Sequence, residues 1–567
     1  MKDNAEPEMI YKPRHLRFAF AALVVGSLAL AACQSGTGPP GSPAARDERP
    51  NILLVVVDDL GFTDVGAYGG EINTPTIDAL AREGVRFSNF HTAVSCSPTR
   101  SMLLSGTDNH VAGLGNMAEL LTPNQRGKPG YEGYLNDRVM SLAEVFAGAG
   151  YHTYMAGKWH LGDEPEHIPH ARGFQRTFSL LYGGASHWSD MEGLIEAQTP
   201  AKYSLNGEPL AELPADFHSS RSYADFIIDS IRADRESGEP FLAFLSFTAP
   251  HDPLHVPEPW LSKYRGRYDD GYEVLKQKRI EATKREGLVA QDAAPPARHS
   301  MLKPWDSLSD REKAIESRMM EVYAGMVDNL DYHLGRVLDY LKDIGEYENT
   351  LIVWMSDNGA NPWTTDDYPG NRGSEFVKNM DNRLENIGRP GSGMAYGMGW
   401  ATAAEGPFDY FKMTVGEGGI HVPLIITGPG VSGGGKTIDG FAYVMDLMPT
   451  MMAIAGVEHP GEYEGKKKEP MLGRSLVRLL SGEADTVYGP DEYIGGEMGN
   501  GRWMRKGDYK ATMVAKPYGP AEWALYDVVN DPGETRNLAA DKPEVLEELQ
   551  AAWERYSKEV GVVVPQG

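Results

Sequence analysis

Residues 51–60 read NILLVVVDDL, and the fold follows from that stretch. ILLVVV at 52–57 is an unbroken, mostly β-branched apolar run with no polar alternation. A strand buried on both faces reads this way, as the inner strands of parallel sheets do. Two carboxylates, Asp58 and Asp59, follow directly at its carboxyl end. The same pattern recurs outward along the chain. Apolar runs at 151–156, 241–247 and 350–355 lead into GKWH (157–160), HD (251–252) and DN (357–358). Between them the spacing predicts a helix opened by Thr74-Pro75, with Thr74 as cap, and closed by Gly84. Further helices are predicted over 139–146, 315–343 and 445–455, and another strand over 422–426. Such alternation describes an α/β fold, a large, mostly parallel sheet sandwiched by helices. Ligands bind beyond the carboxyl ends of such strands, so the polar clusters are expected to converge on one site there.

The residue types say what that site holds. Asp58, Asp59, Asp357 and Asn358 offer oxygen ligands only, and three carboxylates gathered at the end of a buried sheet repel one another. A lone Asp after a strand is ordinarily a cap or an Asx turn. Adjacent Asp-Asp together with Asp-Asn-Gly instead points to a hard divalent cation, Ca²⁺ ahead of Mg²⁺. Cys96 stands in SCSPTR at 95–100, where Ser97 and Pro98 start a helix and Arg100 follows one turn on. A helix N-terminus beside an arginine suits an anion and an activated nucleophile. On these residues alone a thiolate enzyme and a buried structural cysteine both remain open.

The chain has 567 residues, 41% hydrophobic and 24% charged, ordinary for a globular protein large enough for two domains. Its formal charge of −26 argues against nucleic acid as a partner. An anionic substrate would be repelled at long range and needs local positive charge at the site. Lys12, Arg14, His15 and Arg17 precede an apolar run at 18–32, shorter than a membrane-spanning helix. LAAC at 30–33 resembles a bacterial lipobox, with Cys33 the lipidated residue. This predicts an exported periplasmic or outer-membrane lipoprotein, touching the membrane only through its anchor, with residues 1–33 as signal and lipobox. A Gly/Pro/Ser-rich tether covers 34–49. A catalytic domain is assigned to 50–462 and a smaller α+β domain with an antiparallel sheet to 463–567. Residues 256–310 read as a charged, solvated excursion. Residues 359–410 read as a long Gly/Asn/Pro-rich loop kept for a use, the walling of an apolar pocket.

The CSPTR run at 96–100 matches the C-x-P-x-R motif of the type I, formylglycine-dependent sulfatases, and GYHTYMAGKWH at 150–160 resembles that family's second motif. VVVDDLG (55–61), EGGIHVP (417–423) and LYDVVNDPGETRNL (525–538) extend the resemblance over residues 50–540, nearest to bacterial arylsulfatases. The resemblance implies an alkaline-phosphatase-like fold and conversion of Cys96 to formylglycine by a formylglycine-generating enzyme of the host. The hydrated aldehyde, a gem-diol beside a cation held by Asp58, Asp59, Asp357, Asn358 and position 96, attacks sulfur. Its second hydroxyl then drives release of sulfate. Arg100 and Lys158 neutralise the sulfate oxygens, and His160 handles the diol proton. His251 and Lys412 contact sulfate and assist the leaving group; Lys412 is placed by the spacing PFDYFK…EGGI. Thr99 and Ser105 depart from the commoner Ser and Thr and carry no role. His110, His170, His187 and His255 are read as ordinary core or surface histidines. The expected substrate is a small sulfate ester, aryl or hydrophobic alkyl. The competing readings are a phosphonate or phosphate ester hydrolase of the same superfamily and a catalytically vestigial surface binding lipoprotein.

Overall fold

The computed structural model describes residues 47–566. The signal segment, the lipobox with Cys33 and nearly all of the tether lie outside the described residues. Strand Asn51–Val57 is the centre of a ten-stranded sheet. It pairs in parallel with Phe241–Ser246 on one side and Thr350–Ser356 on the other. His152–Lys158 and Arg176–Leu180 extend the parallel array. Antiparallel strands flank it, Leu424–Thr427 against Thr350–Ser356 and Tyr203–Leu205 against Arg176–Leu180.

Strand side chains alternate between faces, so one strand feeds two cores. Leu53, Val55 and Val57 pack with Ile77 and Leu80 of helix Pro75–Glu83, Ile227 of Ser219–Asp234, and Val327 and Leu330 of the long helix Asp310–Asp343. Ile52, Leu54 and Val56 pack on the other face with Met102 and Leu104 of Cys96–Ser105, Leu142 of Leu142–Gly148, and Met448 of Leu447–Ala455. Both faces are covered, which is why the run at 52–57 lacks polar alternation.

Three expectations are corrected. Thr74 does not cap its helix through its side chain. The Asp331 carboxylate from the long helix accepts the N–H groups of Thr76 and Ile77 at 3.1 and 2.8 Å, while the Thr74 hydroxyl accepts from Gly66 N–H. The helix expected at 139–146 begins later, at Leu142, where Ser141 and Glu144 close a capping box. Residues 256–310 are not a solvated excursion. They carry helix Tyr272–Arg285, and Tyr264, Tyr268 and Tyr272 are buried. Arg279 is buried too, its charge matched by Asp64 at 2.6 Å and Glu71 at 2.8 Å. Dense charge therefore marks an internal ion pair here as well as a wet face. Residues 359–410 likewise contain a buried helix, Gly397–Ala404, around Trp400.

Near the C-terminus, four antiparallel strands from Tyr493–Met498 to Ala524–Asp527 carry helix Pro543–Val560 on one face. Met498 and Trp503 join the main core from this sheet. Lys510 reaches inward, 2.6 Å from Glu417 and 3.1 Å from Glu534, with His91 and His421 on the other oxygen of Glu417 at 2.9 and 3.0 Å.

Candidate active site

Strand register assembles the site. Val57 lies opposite Ser356, Val56 opposite Ser246, and Gly157 opposite Ser246, so Asp58, Asp357 and Lys158 emerge side by side at the carboxyl edge. Gly157 is required: with φ +114°, a Cβ there would stand 1.7 Å from the Ser246 carbonyl oxygen. Asp59 has left-handed backbone (φ 64°), uncommon for a residue with a side chain. Its N–H donates to Asp357 Oδ1 at 3.2 Å and its carboxylate joins that of Asp58. Cys96 is the first residue of helix Cys96–Ser105, whose ten residues are all buried. Its sulfur lies 3.4 Å from Asp58 Oδ1 and 3.7 Å from Asp59 Oδ1.

Three cations face three carboxylates. Lys158 Nζ donates to both oxygens of Asp58 at 2.9 and 2.7 Å. Lys412 Nζ donates to both oxygens of Asp59 at 2.7 and 2.8 Å and sits 3.3 Å from the Cys96 sulfur. Arg100 grips Asp357 Oδ2 through Nε at 2.9 Å and Nη2 at 2.8 Å, and Nη1 donates to the Ser246 hydroxyl and the Lys158 carbonyl. His251 donates from Nδ1 to the Asp252 carbonyl at 2.7 Å, which turns Nε2 toward Asp59 Oδ2 at 3.4 Å.

Burial opposes ionisation of Asp58, yet Lys158, His251 and Arg100 outweigh it and hold the carboxyl far below the usual range. Asp59 is lowered in the same way, chiefly by Lys412. For Asp357, burial and the neighbouring Asp58 charge prevail and push it up to about 6. Burial, then the Asp357 charge, drives the Cys96 thiol well above its ordinary value. The helix N-terminus therefore does not make Cys96 a thiolate. Desolvation and the adjacent carboxylates outweigh the two lysines there.

The donor set fits a hard cation. One ligand-type atom from each of Asp58, Asp59, Cys96 and His251 lies within 4.8 Å of the others; Asp357, expected as a ligand, is outside that group, its Oδ2 held by Arg100. Asn358 uses its Nδ2 on Asp59 Oδ1 and the Gly359 carbonyl, leaving its buried Oδ1 with no hydrogen-bond donor. An orphaned carbonyl among carboxylates is an acceptor awaiting positive charge.

A cleft of about 40 Å³ opens over Cys96, with Lys412, His251 and His160 on its wall. Arg100 and Lys158 stand behind that wall, holding Asp357 and Asp58. His160 also has left-handed backbone (φ 58°). Its Nε2 is 3.1 Å from Glu119 Oε1, and its Nδ1 is buried without a partner. Gly183 makes room for the ring, since a Cβ there would come within 2.7 Å of His160 Cε1. Burial lowers His160, whereas the His160 charge interaction outweighs desolvation at Glu119 and brings that carboxyl to about 2. Trp363, Tyr368 and Pro369 bring the 359–410 segment to the cleft, as the sequence led us to expect.

Four contributors escaped the sequence reading. Ser246, the last residue of its strand, anchors Arg100; a hydroxyl ending the run FLAFLS was an available signal. Glu119 on the short turn Ala118–Leu120 had none. Asn361 and Tyr368 hold the Asp252 carboxylate at 2.8 and 3.0 Å, also without a local signal.

A sulfatase family model matches residues 50–457, and one described as N-sulphoglucosamine sulphohydrolase, C-terminal, matches 406–559. An uncharacterized sulfatase of Schizosaccharomyces pombe is 44% identical over 530 residues, covering 92% of this chain and 95% of the relative. The arylsulfatase of Klebsiella aerogenes is 40% identical, covering 80% and 96%. Among solved structures, Ps i-CgsB bound to k-i-k-neocarrahexaose superposes with TM-score 0.62 at 22% identity, covering 90% of this chain and 93% of its own. A protein in complex with its substrate D-glucosamine-2-N,6-O-disulfate gives 0.58 at 21%, covering 90% and 98%. These two share the fold; the family follows from the sequence matches. The chain belongs to the formylglycine-dependent sulfatase family.

Proposed function

We propose that the protein hydrolyses aryl or hydrophobic alkyl sulfate monoesters, with Cys96 in its formylglycine form as the nucleophile. One observation carries this reading: the Cys96 of the CSPTR run lines the cleft with its sulfur against Asp58, Asp59 and Lys412. Asp58, Asp59, Asp357 and Asn358, with position 96, would hold a divalent cation, Ca²⁺ ahead of Mg²⁺, which neutralises charge on the sulfate oxygens. Lys412 and His251 on the cleft wall bind the sulfate group and serve the departing oxygen, and His160 serves position 96. Arg100 and Lys158, one layer back, keep Asp357 and Asp58 ionised and oriented. The apolar wall of Met117, Leu120, Leu194 and Trp363 favours a hydrophobic leaving group, in line with the 40% identical arylsulfatase. Maturation by a host formylglycine-generating enzyme belongs to the same proposal, supported by the CSPTR motif. So does export as a periplasmic or outer-membrane lipoprotein, supported by LAAC at 30–33.

The test is production beside a formylglycine-generating enzyme, mass spectrometry of the peptide around position 96, and turnover of p-nitrophenyl sulfate against p-nitrophenyl phosphonate esters. The aldehyde mass and a preference for sulfate are expected. Cys96→Ala should lose about 10³-fold or more in kcat. Unimpaired turnover by Cys96→Ala, or a preference for the phosphonate, would overturn the proposal.

A further inference from the structure

We infer that Glu119 is a charge filter on the leaving-group side of the cleft, admitting sulfate monoesters whose alcohol or phenol carries no second anionic group. The inference presupposes the sulfate-ester reading above. Charge is divided unevenly along this cleft. Every cation sits at the sulfate end: Lys412 on the wall, Lys158 and Arg100 behind it. Among the described residues that line the cleft, Lys412 is the one Lys or Arg. The rest of the lining is mostly hydrocarbon, with Met117, Leu120, Leu194, Ile195, Trp363 and Pro369 beside Gln198 and Tyr368. Glu119 stands among these side chains, 27% exposed, with one carboxylate oxygen 3.1 Å from His160.

A partly exposed carboxylate bordered by hydrocarbon is screened less than one in open water. Its partner meets one of the two carboxylate oxygens, Oε1, at 3.1 Å. A second sulfate or carboxylate on the leaving group would have to lie beside Glu119 with no guanidinium or ammonium to receive it. The net charge of −26 adds repulsion of the same sign at long range. A neutral ring or alkyl chain meets only the apolar wall. Glu119 also faces His160 and so holds it; removing the charge while keeping the acceptor separates the two roles.

The experiment compares kcat/KM for methyl 4-(sulfooxy)benzoate and for its free carboxylate, using the matured full-length enzyme, in wild type and Glu119→Gln. The amide oxygen still accepts from His160, and any loss common to both substrates cancels in the ratio. Wild type should favour the neutral ester by about tenfold or more, and Glu119→Gln should reduce that ratio by about fivefold. Raising NaCl from about 20 to about 500 mM should shrink the wild-type ratio and leave the variant's ratio nearly flat. If Glu119→Gln does not fold, Gln198→Lys decides. It places a cation on the same wall and should shift the ratio in the same direction. A ratio unchanged within about twofold by either folded variant, or insensitive to salt in wild type, overturns the filter. Wild-type failure on the neutral ester as well would instead sink the sulfate-ester reading beneath it.

Discussion

The two ends of the same strands make opposite uses of charge. At the amino ends of Asn51–Val57, His152–Lys158 and Phe241–Ser246 lies a cleft of about 300 Å³, far roomier than the one over Cys96. Its ion pairs are wet: Arg49–Asp47 with side chains 33% and 28% exposed, and Arg176–Asp234 with 41% and 19%. At the carboxyl ends, Lys158–Asp58, Arg100–Asp357 and Lys412–Asp59 are at most 6% exposed. Volume therefore identifies the wrong end. What distinguishes the functional edge is charge held out of water at high cost, with an acceptor, Asn358 Oδ1, left over.

The largest stability effect should come from breaking the dry end. Arg100→Met leaves Asp357 and Asp58 adjacent and buried with one counter-charge fewer, and should cost about 3–5 kcal/mol in urea unfolding. A loss no greater than at the amino end would erase the distinction. Chelation is next. If the orphaned acceptor marks a cation site, Ca²⁺ at a hundredfold excess over its Kd should stabilise the matured protein by about 2.7 kcal/mol, and EGTA should reverse this. An unchanged midpoint would count against the site. The smallest effects belong to the wet end, where Arg49→Ala and Arg176→Ala should each cost under about 1 kcal/mol. Hydrogen bonding from Arg49 holds Asp47 below the ordinary carboxylate value, and Arg176 does so for Asp234 against partial burial. That contribution is present above the unfolded value and lost as pH falls through the folded one. Wild-type and variant stability curves should thus separate above about pH 4 and merge below it.

The sheet and its loaded edge were legible because inner parallel strands are uninterrupted apolar runs, and a polar residue just past such a run has few other reasons to be there. The motifs at 96–100 and 150–160 picked out Cys96 and Lys158, which the structure places on either side of Asp58. Less was legible wherever a partner is remote. Glu119 meets His160 across 41 residues and Asp331 caps a helix across 254, and neither contact leaves a local pattern. Arg279 was misread because an internal ion pair and a solvated run share one composition. The left-handed backbone at Asp59 and His160 follows from tertiary closure, with no glycine to announce it.

Lys510 has a consequence for the integrity of the chain. It meets Glu417 and Glu534 from within the last sheet, so a polypeptide ending before it would bury the Glu417 carboxylate beside two imidazoles with its ammonium removed. The terminal segment is thus a keystone: the catalytic half borrows the counter-charge of Glu417 from a strand made after it.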